Sequence, residues 1–377
     1  MRKIFVLKRV IVSVINDLVT DQRVNKSCLT LQKLGCDVTL VGRRQRKSPP
    51  MDERPYKVHR MKLLFEKGPL FYAEYNIRLF FFLLFHKSDI LFSNDLDTLL
   101  ANYFVSRLKR VKMVYDSHEY FTETPELVTR PKVQRVWKRI EEFVVPKLDG
   151  MITVNESIAG LFREKYGVRV GVVRNIPRIV EISHSDRSQL GLPLDKHLLI
   201  LQGSGINVQR GAEELVEAMR LLDDCYLVIV GGGDVVPDLK QMVLDFGISE
   251  RVRFFPRMPY QEMMRYTQLA ELGFCLDKDT NLNYRYCLPN KLFDFIHAGV
   301  PIVAASCLVE VTGIIRHYDI GLLVENHDPG TIADAVRVGV NNGELRAKWS
   351  ANLKKAASEL NWQNEEQQLI EILKPYV

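Results

Sequence analysis

A chain of 377 residues, 46% hydrophobic and 26% charged, exceeds one ordinary core and has the make-up of a soluble globular protein, so two domains are expected. Its most apolar run, LFFFLLF at 79–85, falls far short of the roughly 20 residues a membrane span needs. That run reads as the buried side of a helix, with apposition to a membrane as the alternative. The net charge of +6 is mild and much of it is local, in RRQRK at 43–47 and RLKRVK at 107–112.

In chain order, the opening MRKIFVLKRVIVSVI has its apolar run broken by Lys8 and Arg9 and shows no small-residue cleavage site, so no secretory leader is expected. A strand is predicted at 9–15. Thr20 or Asp21 can then cap a helix over 22–34. Strands follow at 37–41, 57–63, 89–92, 112–115, 150–154 and 171–173, with helices at 75–86, 98–109, 131–145 and 157–166. The two basic clusters read either as solvated loop and helix-end charge or as attraction to anionic lipid headgroups or a phosphate-bearing acceptor, at about 1 kcal/mol per Lys or Arg. Nucleic acid is set aside, because neither cluster has interleaved aromatics or a recognisable motif.

Periodicity lapses between 178 and 197 and then restarts. Strands are predicted at 198–202, 225–230, 252–255, 272–276 and 301–305, helices at 211–222, 237–246, 261–267 and 289–299, and a helical tail at 345–376. Alternating strands and helices are the pattern of parallel sheets covered on both faces. The expected fold is α/β: two doubly wound, Rossmann-like domains facing each other across a cleft, at 1–180 and 198–360, joined by a linker at 181–197. The six cysteines are scattered singly, with no CxxC pair, and read as reduced thiols of a cytoplasmic protein.

In open α/β sheets ligands bind at the carboxyl ends of strands. Gly203, Ser204 and Gly205 end one strand, and Arg210 and Gly211 open the helix after it. Glycines let backbone amides approach a ligand, a helix N-terminus favours an anion, and arginine is a charge-assisted phosphate donor. The alternative is a tight turn with a surface arginine. Gly233, in LVIVGGGD (227–234), serves either ligand approach or packing.

In PNKLFDFIHAGVPIVAAS (289–306), Leu292, Phe295, Ile296 and Gly299 take the sheet side of a helix, while Asn290, Asp294 and His297 take the other, with Lys291 at the border. A lysine in the first helical turn opposes the dipole by roughly 0.3–1 kcal/mol. A bound phosphate would account for it, and Asp294 would then accept from a sugar diol. The alternative makes Asp294 an ordinary acid near a helix N-terminus and His297 a surface residue. In MVYDSHEYF (113–121), His118 is either structural or contacts a substrate hydroxyl. Asp95 and Asp97 have DxD spacing, for which a capped helix is the better reading.

These pieces in this order resemble the retaining glycosyltransferases of family 4 (glycosyl transferases group 1, GT-B fold), over nearly the whole chain. ILQGSGINVQRGAEELVEAM (200–219) is similar to the family's phosphate loop, with Arg210 where a lysine is usual. PNKLFDFIHAGVPIVAAS is similar to its nucleotide-ribose helix and Gly-x-Pro strand. VVRNIPRI (172–179) resembles the segment ending the first domain, and DSHE (116–119) carries the histidine often found near the acceptor. Two departures stand out. Asp294 fills the second of two acidic positions eight residues apart, but Tyr286 fills the first, and NDLVTDQR (16–23) replaces a glycine-rich loop.

The resemblance implies a nucleoside diphosphate sugar held by Gly203, Ser204, Gly205, Gly211, Gly233, Asn290 and Asp294. Arg210 and Lys291 would stabilise the leaving diphosphate, while His118, Asn16, Asp95 and Glu119 lie on the acceptor side. It further implies retention at the anomeric carbon, no metal and no cofactor beyond the sugar nucleotide, and a helix over 361–377 that returns to the first domain. The acceptor would be a glycan or lipid-linked molecule of bacterial surface polysaccharide synthesis, with peripheral contact at the inner membrane face. The alternatives are an inactive nucleotide-sugar-binding partner subunit and a nucleotide-sugar 2-epimerase on the same architecture.

Overall fold

The computed structural model describes residues 7–19, 21–183 and 185–377. The start of the leader-like stretch, Thr20 as a helix cap and His184 of the expected linker lie outside the described residues. The chain divides into two compact units, Met1–Asn175 with Glu365–Val377, and Ile176–Asn364.

The first unit runs β1 (Arg9–Asp17), α1 (Gln22–Lys33), β2 (Asp37–Arg44), β3 (Lys57–Lys62), α2 (Gly68–Phe85), β4 (Ile90–Asn94), α3 (Leu96–Lys109) and β5 (Lys112–Ser117). It continues with α4 (Pro125–Val128), α5 (Pro131–Val144), β6 (Gly150–Thr153), α6 (Glu156–Tyr166) and β7 (Val170–Val172). Its parallel sheet has the order β3-β2-β1-β4-β5-β6-β7. The near-continuous apolar character of β1 suits a strand covered on both faces, and all but two of its residues are buried. Asp21 caps α1, accepting from the Val24 amide at 3.0 Å.

The second unit runs β8 (His197–Gly203), α7 (Ala212–Ala218), β9 (Cys225–Gly231), α8 (Val236–Asp245), β10 (Val252–Phe255), α9 (Tyr260–Thr267) and β11 (Leu272–Cys275). Then come α10 (Leu282–Arg285), α11 (Asn290–Ala298), β12 (Ile302–Ala305), α12 (Val309–Tyr318), β13 (Gly321–Val324), α13 (Pro329–Asn341), α14 (Gly343–Glu359) and α15 (Trp362–Leu373). The sheet order is β10-β9-β8-β11-β12-β13. In each unit the strand order reverses once, between β1 and β4 and between β8 and β11. The crevice outside the strand ends at such a switch point is where ligands bind in open sheets.

Several sequence expectations are corrected. The tail at 345–376 is two helices, because Asn361 ends one and its side chain accepts from the Asn364 amide at 3.0 Å. The residues of α15 from Glu365 onward belong to the first unit, where Glu365 pairs with Arg174. The stretch 181–197 falls within the second unit, with Leu192 buried and Arg187 3.0 Å from Glu271. LFFFLLF is not a buried side as a whole: Leu79 and Leu83 are buried, whereas Phe81 is 50% and Phe85 78% exposed. No helix among the described residues is long and apolar enough to cross a membrane.

Candidate functional site

At the switch point of the second unit, β8 ends in Gly203 and the chain turns through Ser204, Gly205 and Ile206. A Cβ added at Gly203 or Gly205 would meet its nearest neighbours at ordinary van der Waals distance, 3.9 and 3.6 Å. Gly233 has a packing role, since a Cβ there would lie 1.9 Å from the Ile206 carbonyl oxygen. Gly211 is required twice over, by a φ of +72° and by the Leu276 carbonyl oxygen 2.3 Å from its Cβ position. Gln209 also has a left-handed φ of 68°, and this twisted loop aims Arg210 across the end of β11. Because Gly211 cannot continue a helix, α7 starts at Ala212, one residue later than the spacing predicts. Gly203, Ser204, Gly205, Arg210, Asn290 and Lys291 line a cavity of about 240 Å³.

Lys291 is not at the border of an exposed helical face; it is 9% exposed. The anion it meets within the protein is Asp277, two residues beyond β11 and fully buried. Lys291 Nζ lies 3.1 Å from Asp277 Oδ2 and Arg210 Nη1 3.1 Å from Oδ1. The Arg210 guanidinium also sits 4.8 Å over the Tyr284 ring. Burial works against both cations, but Asp277, together with Tyr284 at Arg210 and Cys275 at Lys291, raises both pKa values. Two cations around one carboxylate leave a net positive charge beside the cavity. Nothing in the sequence reading singled out Asp277, although it obeys the same rule as its partners: it follows a buried strand at its carboxyl end.

Asp294 is buried, contrary to the helical wheel, because α11 packs between the sheet on one side and α9 and α14 on the other. Its Oδ2 accepts from Gln202 Nε2 at 3.1 Å and its Oδ1 from the Tyr260 hydroxyl at 3.0 Å. Burial raises its pKa to about 6, the two hydrogen bonds opposing the rise. His297 is half-buried and its Nε2 lies 2.7 Å from the Leu360 carbonyl oxygen. Asn290 alone of the three stays exposed. Tyr286 sits at the C-terminal end of α10.

The Asp294 pKa has a measurable consequence. Between about 4 and 6 the folded state holds a proton that the unfolded state has released, so this group's contribution makes stability fall as pH rises through that window. Asp294→Asn removes the effect. From pH 4 to pH 7, urea denaturation should show the variant gaining roughly 2 kcal/mol relative to the wild type. A constant difference across the range would show that the carboxyl titrates normally.

In the first unit the strand ends beside the switch point carry a second cluster. Asp95 occupies the N-cap position of α3 but caps nothing with its side chain, which corrects the capped-helix reading. With φ 59° and ψ 162° it lies in a region essentially restricted to glycine, at a cost of about 1–3 kcal/mol. Its Oδ1 accepts from the His118 amide at 3.1 Å, and its Oδ2 lies 3.1 Å from His118 Nδ1. On the other side of the ring, Nε2 lies 3.2 Å from Asn94 Oδ1 and 3.4 Å from Asp116 Oδ2. Asp116 is gripped by Arg23, with Nε at 3.0 Å and Nη2 at 2.7 Å.

Burial disfavours charge on His118, but Asp95 and Asp116 outweigh it and push its pKa up to about 10. The ring is therefore an imidazolium at neutral pH, a donor and a positive charge rather than a base. Asp97, next to Asp95, is buried with its Oδ1 lacking a hydrogen bond, and burial and the Asp95 charge raise its pKa well above the usual range. Of the remaining expected residues, Asn16 is exposed and donates to Asp21 Oδ2 at 3.1 Å. Glu119 is half-buried, its carbonyl accepting from the Ser117 hydroxyl at 2.8 Å. Arg23, Asp116 and Asn94 escaped selection as site residues, although DSHE already placed Asp116 beside the histidine.

Two parallel, Rossmann-like units, each with charged side chains gathered at its switch point, define the GT-B class of architecture. Residues 183–356 match the family described as Glycosyl transferases group 1, and residues 24–184 match Glycosyltransferase Family 4. The chain belongs to the group 1 glycosyltransferases, a family of transferase enzymes. Among its relatives, a D-inositol 3-phosphate glycosyltransferase of Acidothermus cellulolyticus is 27% identical over 59% of this chain and 52% of its own length. The chain spans about half the length of the curated relatives it matches. Among solved structures, the sucrose-phosphate synthase of Thermosynechococcus elongatus has a TM-score of 0.79 at 15% identity, with 98% of each chain covered. Alr3699/HepE of Anabaena, solved in complex with UDP-glucose, has a TM-score of 0.72 at 15% identity, covering 98% of this chain and 100% of its own.

Proposed function

We propose that this protein is a retaining, metal-independent glycosyltransferase that moves a sugar from a nucleoside diphosphate sugar to an acceptor hydroxyl. The observation that carries the reading is the pair of cations, Arg210 and Lys291, held on one carboxylate at the edge of a cavity at the sheet's switch point. As the bond from the anomeric carbon to the diphosphate breaks, negative charge builds on the leaving oxygen. Two cations already fixed by Asp277 meet that charge without reorganising. Ionised Asp294 accepts from the ribose hydroxyls, and Gly203 and Gly205 leave room for the phosphates. On the acceptor side, the His118 imidazolium, whose two N–H groups face Asp95 and the Asn94–Asp116 pair, serves as a fixed positive charge beside the acceptor. The acceptor class is a glycan or lipid-linked molecule of bacterial surface polysaccharide synthesis; a phosphorylated polyol is a further acceptor to test, given the name of the relatives.

The test starts from UDP-glucose, the donor seen in the Anabaena complex, and extends to other sugar nucleotides and an acceptor panel. Transfer with an unchanged anomeric configuration, insensitive to a metal chelator and lost in His118→Ala, is the expected result. Binding without turnover on any acceptor would instead identify a partner subunit, and epimerised sugar formed without acceptor would identify an epimerase. Wild-type turnover in His118→Ala would return the histidine to a structural role.

A further inference from the structure

The outer face of three neighbouring helices in the first unit carries an apolar surface that the proposed chemistry does not use. On α2, Ile77, Phe81 and Phe85 recur every four residues and are exposed, and the Phe81 and Phe85 rings lie 6.2 Å apart. On α3, Phe104 and Leu108 are exposed one turn apart. On α5, Val133, Val136 and Phe143 form a third exposed stripe. The stripes are contiguous. α2 packs beside α3 and α3 beside α5, Lys109 of α3 donates to the Leu83 carbonyl of α2 at 2.7 Å, and the Phe143 ring lies 5.4 Å from that of Tyr103 and 6.4 Å from that of Phe104. An exposed apolar face spread over three helices is uncommon on a soluble monomer and marks an interaction surface.

The charges around it select the partner. On α5, Lys132, Arg135 and Arg139 are exposed and have no carboxylate ion pair among the described residues. Arg107 and Arg110 edge α3, and Lys147 lies 3.6 Å over the Phe143 ring. Of the acids on these helices, Glu141 and Asp97 are buried, and Glu74 is held by Arg78 at 2.7 Å. Glu142, the remaining exposed acid on these helices, lies 3.9 Å from Lys165. A second copy of the chain, docked about a two-fold axis, would bring these cations against themselves. An anionic surface would neutralise them while the aromatic side chains enter the headgroup layer.

The geometry points to a docking face for an anionic lipid bilayer, formed by the outer sides of α2, α3 and α5, with the α5 cations on the headgroups and Phe81, Phe85 and Phe143 inserted. This gives the basic run at 107–112 and the LFFFLLF segment one shared role, and it stands whether or not the sugar-transfer reading holds.

Co-sedimentation of the full chain with phosphatidylcholine vesicles, with and without phosphatidylglycerol, tests it. The wild type should pellet with the phosphatidylglycerol vesicles at low salt and much less at high salt or on phosphatidylcholine alone. Combined Lys132→Ala, Arg135→Ala and Arg139→Ala should weaken that binding roughly 100-fold, with the melting temperature unchanged because these side chains are exposed, and combined Phe85→Ser and Phe143→Ser at least roughly 10-fold. The wild-type lipid and salt dependence stands as a test even if a variant misfolds. A wild type that stays in the supernatant, variants that bind as well as it does, or a dimer in sedimentation velocity that the phenylalanine substitutions dissociate would each overturn the proposal.

Discussion

Lys291→Ala is expected to weaken nucleoside diphosphate binding by about 1.5–3 kcal/mol, the range for a lost hydrogen bond to a charged group. Arg210→Ala should fall at the lower end, because about a third of its side chain is exposed (32%) and water can screen its charge. The more discriminating variant is Asp277→Asn, which acts with opposite signs on two measurements. Without its carboxylate, two cations are left uncompensated beside a buried amide, and the free protein should lose about 3 kcal/mol of stability. The same cations are then no longer shared, so the diphosphate should bind more tightly and should restore much of the lost stability by mass action. Calorimetry for affinity, with melting curves at zero and saturating UDP, reads both effects. Unchanged affinity in Lys291→Ala and Arg210→Ala would remove the phosphate assignment. An Asp277→Asn protein with wild-type stability would show that the ion triad carries no weight in the fold.

The architecture was largely legible because each strand of a doubly wound sheet reads as a short apolar run, and the strand-end rule then pointed to loops where charged side chains gather. Gly211, Arg210 and His118 emerged from that rule, and Lys291 from its unfavourable place in the first turn of a helix. Asp277 did not, since one acid after an apolar run has no spacing to distinguish it; its significance appears only when β8 and β11 become neighbours and carry Arg210 to it. Asp294 was found but misplaced. A helical wheel assumes one buried face, whereas α11 has partners all round, and the donors on Asp294 come from Gln202 and Tyr260, 92 and 34 residues away in the chain. The positive φ of Asp95 was equally invisible, because its sequence neighbours fit an ordinary capped helix, whereas its carboxylate turns to His118 and its amide donates to the Asp116 carbonyl at 2.9 Å.

Arg23→Ala should be the most damaging substitution in the first unit. Arg23 and Asp116 are both almost fully buried and joined by two hydrogen bonds, while Arg23 Nη1 donates to the Val173 carbonyl at 2.8 Å. Removing the arginine strands a carboxylate whose burial is otherwise offset by Arg23 and His118, a loss of about 3–5 kcal/mol in urea denaturation at neutral pH. The sign with pH follows from the same group. Arg23 and His118 hold the Asp116 pKa below the ordinary carboxylate range, so its contribution is present above about pH 4 and fades as pH falls through the folded-state value. The gap between wild type and Arg23→Ala should therefore narrow in acid. His118 behaves in the opposite direction: its raised pKa, about 10, adds stability that is complete below about pH 6.5 and lost as pH rises through the folded value. With Arg23 gone, His118 becomes the principal counter-charge of Asp116 and its pKa should rise further, so the variant should go on losing stability at alkaline pH where this contribution has levelled off in the wild type. Levelling off at the same pH in both proteins would show that Asp95 alone holds the imidazolium.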